Sequence, residues 1–312
     1  MRSVTFNEIV GNENAKIILK EAIQSARLQD RTVEHIFLSG PSGCGKSTFA
    51  SAIAHEMNTN YDYVMCSGDA NIIQNIIMKI MNMADFDILF LDEIHALKMN
   101  AKESIYDYLE NGTLNIKYGM QVVNIKAPKV TIIGATTEMQ LIPTPFLNRF
   151  PIQICLNKYS LKELCMIVQM NARNEGINLD MDAAMMIAQV SKGVPRMAIQ
   201  YVRRVRDHAV SNNINKINKD VVQQCLKLSG INEDGLEMIE QKYIHTLYHV
   251  FNLRPAGLGA ICSVIGENEK IVEKTYEPAL ISGGYIMKTP QGRVLTKKGI
   301  ETAMKIEFKE II

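Results

Sequence analysis

Residues 35–48 read HIFLSGPSGCGKST, and the rest of the chain is best understood outward from them. Ile36, Phe37 and Leu38 form a short apolar run of the kind that builds a buried strand. From Gly40 to Ser47 the residues complete the pattern G-x-x-x-x-G-K-[ST]. The run 49–57 then has helical apolar spacing, so the motif sits in the strand–loop–helix context its chemistry needs. Glycines let successive backbone N–H groups turn inward as an anion nest, and the helix N-terminus adds positive potential. Lys46 is expected to reach the β- and γ-phosphates of ATP, and the Ser47 hydroxyl to ligate Mg²⁺. Gly40, Gly43, Cys44, Gly45 and Thr48 complete the expected nucleotide cradle. A glycine-rich turn with an accidental lysine is the plainer account, and the flanking strand and helix argue against it.

Composition narrows the rest. A chain of 312 residues suggests two or three domains. The net charge of +1 means that any nucleic-acid binding has to come from local patches. No apolar run approaches membrane-spanning length, and the N-terminus has no signal-peptide core. The six cysteines are scattered without a CxxC pair, which fits a reducing cytoplasm and not a zinc site. His245 and His249 lie one helical turn apart with no third ligand evident, and read as surface histidines.

Taken in order, Phe6, Ile9 and Val10 form an apolar box ended by Gly11. It either packs on an adenine or is plain core, and periodicity alone favours core. Strand signals follow at 63–66 and at 87–91, the latter ending in Asp92-Glu93. Four apolar residues in a row suit a strand buried on both faces of a parallel sheet, and acids at its C-terminal end stand where α/β ligands bind. Asp92 is expected to hold Mg²⁺ through its water shell and Glu93 to polarise the attacking water. His95 is given no chemistry. Residues 112–127 alternate as a hairpin does. Residues 130–137 form another buried strand, and Thr137 at its end either contacts the γ-phosphate or attacking water, or caps the strand. Residues 152–156 complete the sheet. Ser160 and Glu163 form a capping box, and the pattern from there is wholly helical, which sets a boundary near Cys155. A polar linker, GINED at 230–234, precedes three helices and a hairpin around Pro290-Gln291-Gly292, the outline of a winged helix. Lys288, Arg293, Lys297 and Lys298 form a local patch with no acid between 283 and 299. It suits DNA phosphates, or is a solvated basic face.

These motifs together resemble the RuvB family, hexameric AAA+ motors that drive Holliday-junction branch migration, and the resemblance runs essentially end to end. Arg2 and Phe6 to Gly11 are similar to the adenine-side box. Gly40 to Ser47 and Leu91 to His95 resemble its Walker A and Walker B motifs, and Gly134 to Thr137 its sensor 1. Pro145 to Phe150 resembles the arginine-finger segment and Gly193 to Arg196 sensor 2. Arg254-Pro-Ala-Gly-Leu258, Tyr276-Glu-Pro278 and Thr289 to Arg293 resemble the winged-helix signatures. The implied fold class is α/β: an AAA+ P-loop parallel-sheet domain over 1–156, a helical lid over 157–231 and a C-terminal winged-helix domain over 232–312. The resemblance also implies that Arg149 reaches a neighbour's γ-phosphate, that Arg196 reports the nucleotide state, and that Arg2, Ile9 and Val10 border the base. Arg293 is implied to face DNA.

The departures are specific. The segment from Glu110 to Gly134 is shorter than the family's, in the region that engages the junction-binding partner RuvA, which leaves use of a RuvA-like partner open. Glu138 stands where the family usually has Arg. Leu147 and Asn148 replace a charged pair, and Gln291 replaces an Arg on the wing. Two function classes follow: an ATP-driven ring that moves duplex or four-way-junction DNA, and an ATP-dependent DNA-binding switch or loader without translocation. A membrane partner is not expected.

Overall fold

The computed structural model describes residues 4–68, 71–118 and 121–306. Arg2 lies outside them, as do Gly119 and Met120. The chain divides into two compact units: Met1–Ile167 with Gly193–Met197, and Val168–Lys192 with Ala198–Ile312.

The first unit is built on strands β1 (Ile36–Ser39), β2 (Tyr61–Met65), β3 (Ile88–Asp92), β4 (Thr113–Tyr118), β5 (Gln121–Lys126), β6 (Thr131–Thr136) and β7 (Ile152–Cys155). Five of them form a parallel sheet in the order β2-β3-β6-β1-β7. Helices α1 (Glu13–Leu28), α2 (Lys46–Met57), α3 (Ile72–Asn82), α4 (Met99–Asn111) and the short α5 (Thr144–Leu147) belong to the same unit. The central strands read as unbroken apolar runs because both faces are covered. On one face, Leu38, Phe90 and Ile133 meet Leu19 and Ile23 of α1 and Phe49 and Ile53 of α2. On the other, Phe37, Leu89 and Ile132 meet Ile76 of α3, Ile105 of α4, Phe146 and Phe150. All five strands point the same way, so the ends of β1, β3 and β6 open on one edge of the sheet. There a ligand can reach the loops without crossing the core. The alternating segment forms the expected hairpin: α4 ends at Gly112, and β4 and β5 pair antiparallel from Thr113↔Lys126 to Tyr118↔Gln121.

Helix α6 (Leu161–Asn174) opens with the capping box read from the sequence. The Ser160 N–H donates to Glu163 Oε2 at 2.8 Å and the Glu163 N–H to Ser160 Oγ at 3.3 Å. Helices α7 (Met181–Val190), α8 (Pro195–Ser211) and α9 (Lys219–Leu228) follow. Asp180 and Asn218 cap α7 and α9 by accepting from the Ala183 and Val221 N–H groups at 2.9 and 3.0 Å.

In the second unit, α10 (Met238–His245), α11 (Leu258–Ile265), α12 (Glu269–Ile271) and α13 (Glu277–Ser282) lead to the hairpin of β8 (Ile286–Thr289) and β9 (Gly292–Leu295), closed by α14 (Lys297–Ala303). Tyr243, Leu247, Ile261, Leu280 and Ile286 form its core. Between α12 and α13 the chain widens into a π turn over Val272–Tyr276. Pro278 offers no N–H and its ring crowds the carbonyl four residues back, which a wider turn accommodates. His245 corrects an expectation: it is buried, not on the surface, with its ring centroid 4.3 Å from that of His249. Among the described residues, no cluster of His, Cys, Asp and Glu is arranged to hold a metal ion, and no helix is long and apolar enough to cross a membrane.

Candidate functional site

The strand ends bring most of the expected nucleotide residues together. The loop leaves β1 at Gly40, whose N–H donates to the Thr136 carbonyl at 3.3 Å. Gly40 has φ +142°, and a Cβ there would lie 2.3 Å from the Leu156 carbonyl oxygen, so only glycine fits. Gly45, at φ +97°, turns the chain into α2 with a backbone conformation that other residues rarely adopt. Lys46 is buried at the start of α2 and its Nζ donates to the Gly40 and Pro41 carbonyls at 2.8 and 3.2 Å. Burial lowers its pKa, against the raising pull of Glu93 and Asp92. A polyanion in the cradle therefore meets an ammonium that sits in low dielectric, where its attraction is strongest. Ser47 and Thr48 follow on α2, both half-buried.

Asp92 ends β3 and its Oδ1 accepts the Glu93 N–H at 3.0 Å. Burial and then the neighbouring Glu93 push its carboxyl up from the ordinary value. The Ser47 hydroxyl and the Asp92 carboxylate are hard oxygen donors. They fit Mg²⁺, which is commonly held by one or two protein oxygens with phosphate and water completing its shell. A cation there would also relieve the repulsion between Asp92 and Glu93. Glu93 itself has φ +50°, a left-handed conformation that non-glycine residues adopt rarely and at a cost. The turn carries its side chain to the end of β6, where Oε2 accepts from the Thr137 N–H at 3.2 Å and from Thr137 Oγ1 at 2.9 Å. Thr137 is thus a partner of Glu93 as well as the residue that ends the strand.

The segment Gly193–Met197 closes on the same loop. The Tyr159 N–H donates to the Gly193 carbonyl at 3.0 Å and the Arg196 N–H to the Gly43 carbonyl at 3.4 Å. The Tyr159 hydroxyl donates to the Cys44 carbonyl at 3.4 Å. The positive charge of Arg196 opposes the rise that burial causes at Asp92 and adds to the lowering that burial causes at Lys46.

Phe6 and Ile9 belong to the buried core between α1, α2 and the sheet, and Val10 is half-buried beside them. The Cys44 thiol in the loop is fully buried, and burial pushes it up more than Lys46 and Lys158 pull it down. Arg149 has partners within its own chain: its Nη2 lies 3.1 Å from Glu110 Oε2, and its guanidinium carbon 5.9 Å from the Tyr106 ring centroid.

Residues 1–156 match the model of the Holliday junction DNA helicase RuvB P-loop domain, residues 159–232 the RuvB AAA lid domain, and residues 233–303 the RuvB C-terminal winged helix domain. The chain belongs to the RuvB family. The subunit RuvB of the Holliday junction branch migration complex from Fervidobacterium nodosum is 34% identical over 303 residues, covering 96% of this chain and 87% of that relative. The Orientia tsutsugamushi (strain Ikeda) subunit is 34% identical over 308 residues, with 96% and 94% covered. The solved structure of the Thermotoga maritima RuvB Holliday junction branch migration motor superposes with a TM-score of 0.82 at 31% identity, with 97% of each chain covered. The fold is accordingly the P-loop domain, AAA lid and winged helix of RuvB.

In this RuvB-family chain the basic wing is less free than its sequence suggests. Arg293 pairs with the fully buried Glu277, Nε to Oε1 at 2.8 Å and Nη2 to Oε2 at 3.3 Å, and Lys288 Nζ lies 2.8 Å from the same carboxylate. The Tyr243 hydroxyl adds a fourth contact at 2.6 Å. The wing itself has no acid, but α13 brings one underneath it. Arg293 is 18% exposed, while Lys297 and Lys298 are exposed. Lys298 Nζ donates to the Gly283 carbonyl at 2.8 Å and sits 4.1 Å from the Tyr285 ring centroid. Sequence reasoning also passed over His95, which contacts Glu93, and Glu110, which holds Arg149. His95 ends the Walker B match and Glu277 lies inside the Tyr276-Glu-Pro278 signature, but neither position indicates the charge it pairs with; Glu110 gave no signal.

Proposed function

We propose that the protein is an ATP-hydrolysing DNA motor of Holliday-junction branch migration, working in the cytoplasm as an oligomeric, hexameric ring with the division 1–156, 157–231 and 232–312. The observation that carries this reading is the meeting of Lys46, Asp92, Glu93 and Thr137 at adjacent strand ends, in a chain matched to RuvB models over all three regions. Lys46 and the loop N–H groups hold the phosphates of ATP. Ser47 and Asp92 hold Mg²⁺, which neutralises phosphate charge when bound. Glu93, oriented by Thr137, takes a proton from the attacking water. Arg149 leaves Glu110 to meet the γ-phosphate of a neighbouring copy, and Arg196 senses the nucleotide beside Gly43. Lys297 and Lys298 contact duplex or four-way-junction DNA. A RuvA-like partner, if used, meets the hairpin of β4 and β5.

The test is ATP-driven dissociation of a synthetic four-way junction by the protein alone, with Glu93→Gln as control. The variant should keep ATP binding and lose about 10²–10⁴-fold in turnover, the range of general-base contributions. Equal turnover in both forms refutes the assignment. ATP-dependent retention on DNA without junction movement, with or without RuvA, favours the switch or loader. That second reading draws on Arg149, which is held in cis by Glu110.

A further inference from the structure

His95 lies between two carboxylates. Its Nδ1 is 3.1 Å from Glu93 Oε2 and 2.9 Å from Thr136 Oγ1, and its Nε2 faces Glu138 Oε1 at 3.6 Å. The residue is held from behind: buried Lys102 on α4 donates its Nζ to the backbone carbonyl of His95 at 3.3 Å. It is also held from the side, because Thr136 Oγ1 accepts the Glu138 N–H at 3.0 Å and so ties the backbone of Glu138 to the hydroxyl that the ring touches.

Glu93 Oε2 thus receives three partners: the Thr137 N–H, the Thr137 hydroxyl and the His95 ring. Donors gathered on one oxygen fix the plane of a carboxylate and direct its other oxygen. An ionised carboxylate only accepts, so the ring nitrogen on Glu93 meets it best with an N–H. Glu138 faces the far nitrogen and thereby favours the ring orientation that keeps Nδ1 on Glu93.

We propose that His95, steadied by Glu138, is a positioning residue that orients Glu93 for activation of water. This rests on the reading of Glu93 given above. The Glu138 arm is the weaker one, since that side chain is half-exposed and its charge is screened.

The test uses steady-state ATPase of the full chain with His95→Ala, His95→Gln, His95→Asn and Glu138→Gln, beside Glu93→Gln. The side-chain amide of Asn reaches about as far as Nδ1, and that of Gln about as far as Nε2. A misaimed base costs on the order of 10–100-fold in kcat. His95→Ala and His95→Gln should fall in that range with KM for ATP within about twofold of wild type, and His95→Asn should recover most of the loss. Glu138→Gln should lower kcat about threefold alone and have no further effect in His95→Asn. A purely structural role would lower ATP binding and kcat together and would not separate Asn from Gln. The inference is overturned if His95→Ala turns over within about twofold of wild type, if kcat rises, or if Asn does no better than Gln. Should His95→Ala fail to fold, the Asn and Gln pair decides. If Glu93→Gln itself keeps turnover, the reading of Glu93 fails; if it is inactive while His95→Ala is not, only the role of His95 fails.

Discussion

Replacing Arg293 with Ala separates a structural arginine from a DNA-binding one. The carboxylate of Glu277 is fully buried and takes two charge-assisted bonds from Arg293, whose side chain is 18% exposed. Removing one partner of a buried ion pair costs about 3–5 kcal/mol, because the other charge stays uncompensated. Lys288 and Tyr243 still face Glu277, so the low end, about 3 kcal/mol, is expected. For a domain of 60–100 residues each kcal/mol moves the melting temperature by roughly 4–8 °C, so the winged-helix transition should fall by roughly 12–24 °C. Lys288 is 44% exposed, so water screens its end of the contact, and Arg293 still covers Glu277; about 0–1 kcal/mol is expected, and Lys288→Ala should shift the same transition by only a few degrees. Scanning calorimetry of the full chain reads both. The salt dependence of duplex-DNA binding, measured below the melting transition, supplies the other half. Lys297→Ala should reduce its slope by about one, whereas Arg293→Ala should leave it unchanged. A shift under about 4 °C for Arg293→Ala, together with a slope reduced by about one, would refute the assignment of this arginine to the domain core.

Acid should weaken the same network. Burial pushes the Glu277 carboxyl up, but bonds from Arg293, Lys288 and Tyr243 outweigh it and hold the group below its ordinary 4.5. Its contribution is therefore present above that value and lost as pH falls through the lower folded value, so the stability gap between wild type and Glu277→Gln should shrink on acidification. Limited alkylation followed by peptide mapping should modify the exposed Cys155 well before the buried Cys44; equal rates would contradict the burial of the loop thiol. If Arg149 acts in trans, Arg149→Ala alone should lose about 10³-fold or more in turnover, and mixing it with Lys46→Ala subunits should restore some activity. Strictly additive rates in the mixture would count against the finger.

Much of the catalytic unit was legible in one dimension because its constraints are local. The phosphate loop needs Gly40 and Gly45 in backbone conformations that other residues strain to reach, and Lys46 and Ser47 follow at fixed spacing. The strand of Asp92 and Glu93 announced itself as an apolar run, since a strand covered on both faces has no polar side to show. Capping at Ser160 involves residues three apart, which is why that helix start could be placed closely.

What the tertiary structure decided was the pairing of charges. Glu277 stands 11 and 16 residues from Lys288 and Arg293, and nothing in that spacing says that it lies beneath the wing. Glu110 meets Arg149 only because α4 packs beside α5. His95 gains its place between Glu93 and Glu138 because the left-handed turn at Glu93 folds back onto the end of β6. Backbone preferences and hydrophobic period act over a few residues and so can be read along the chain. Electrostatic partners are chosen by distance in space, and that distance exists only once the strands and helices have packed.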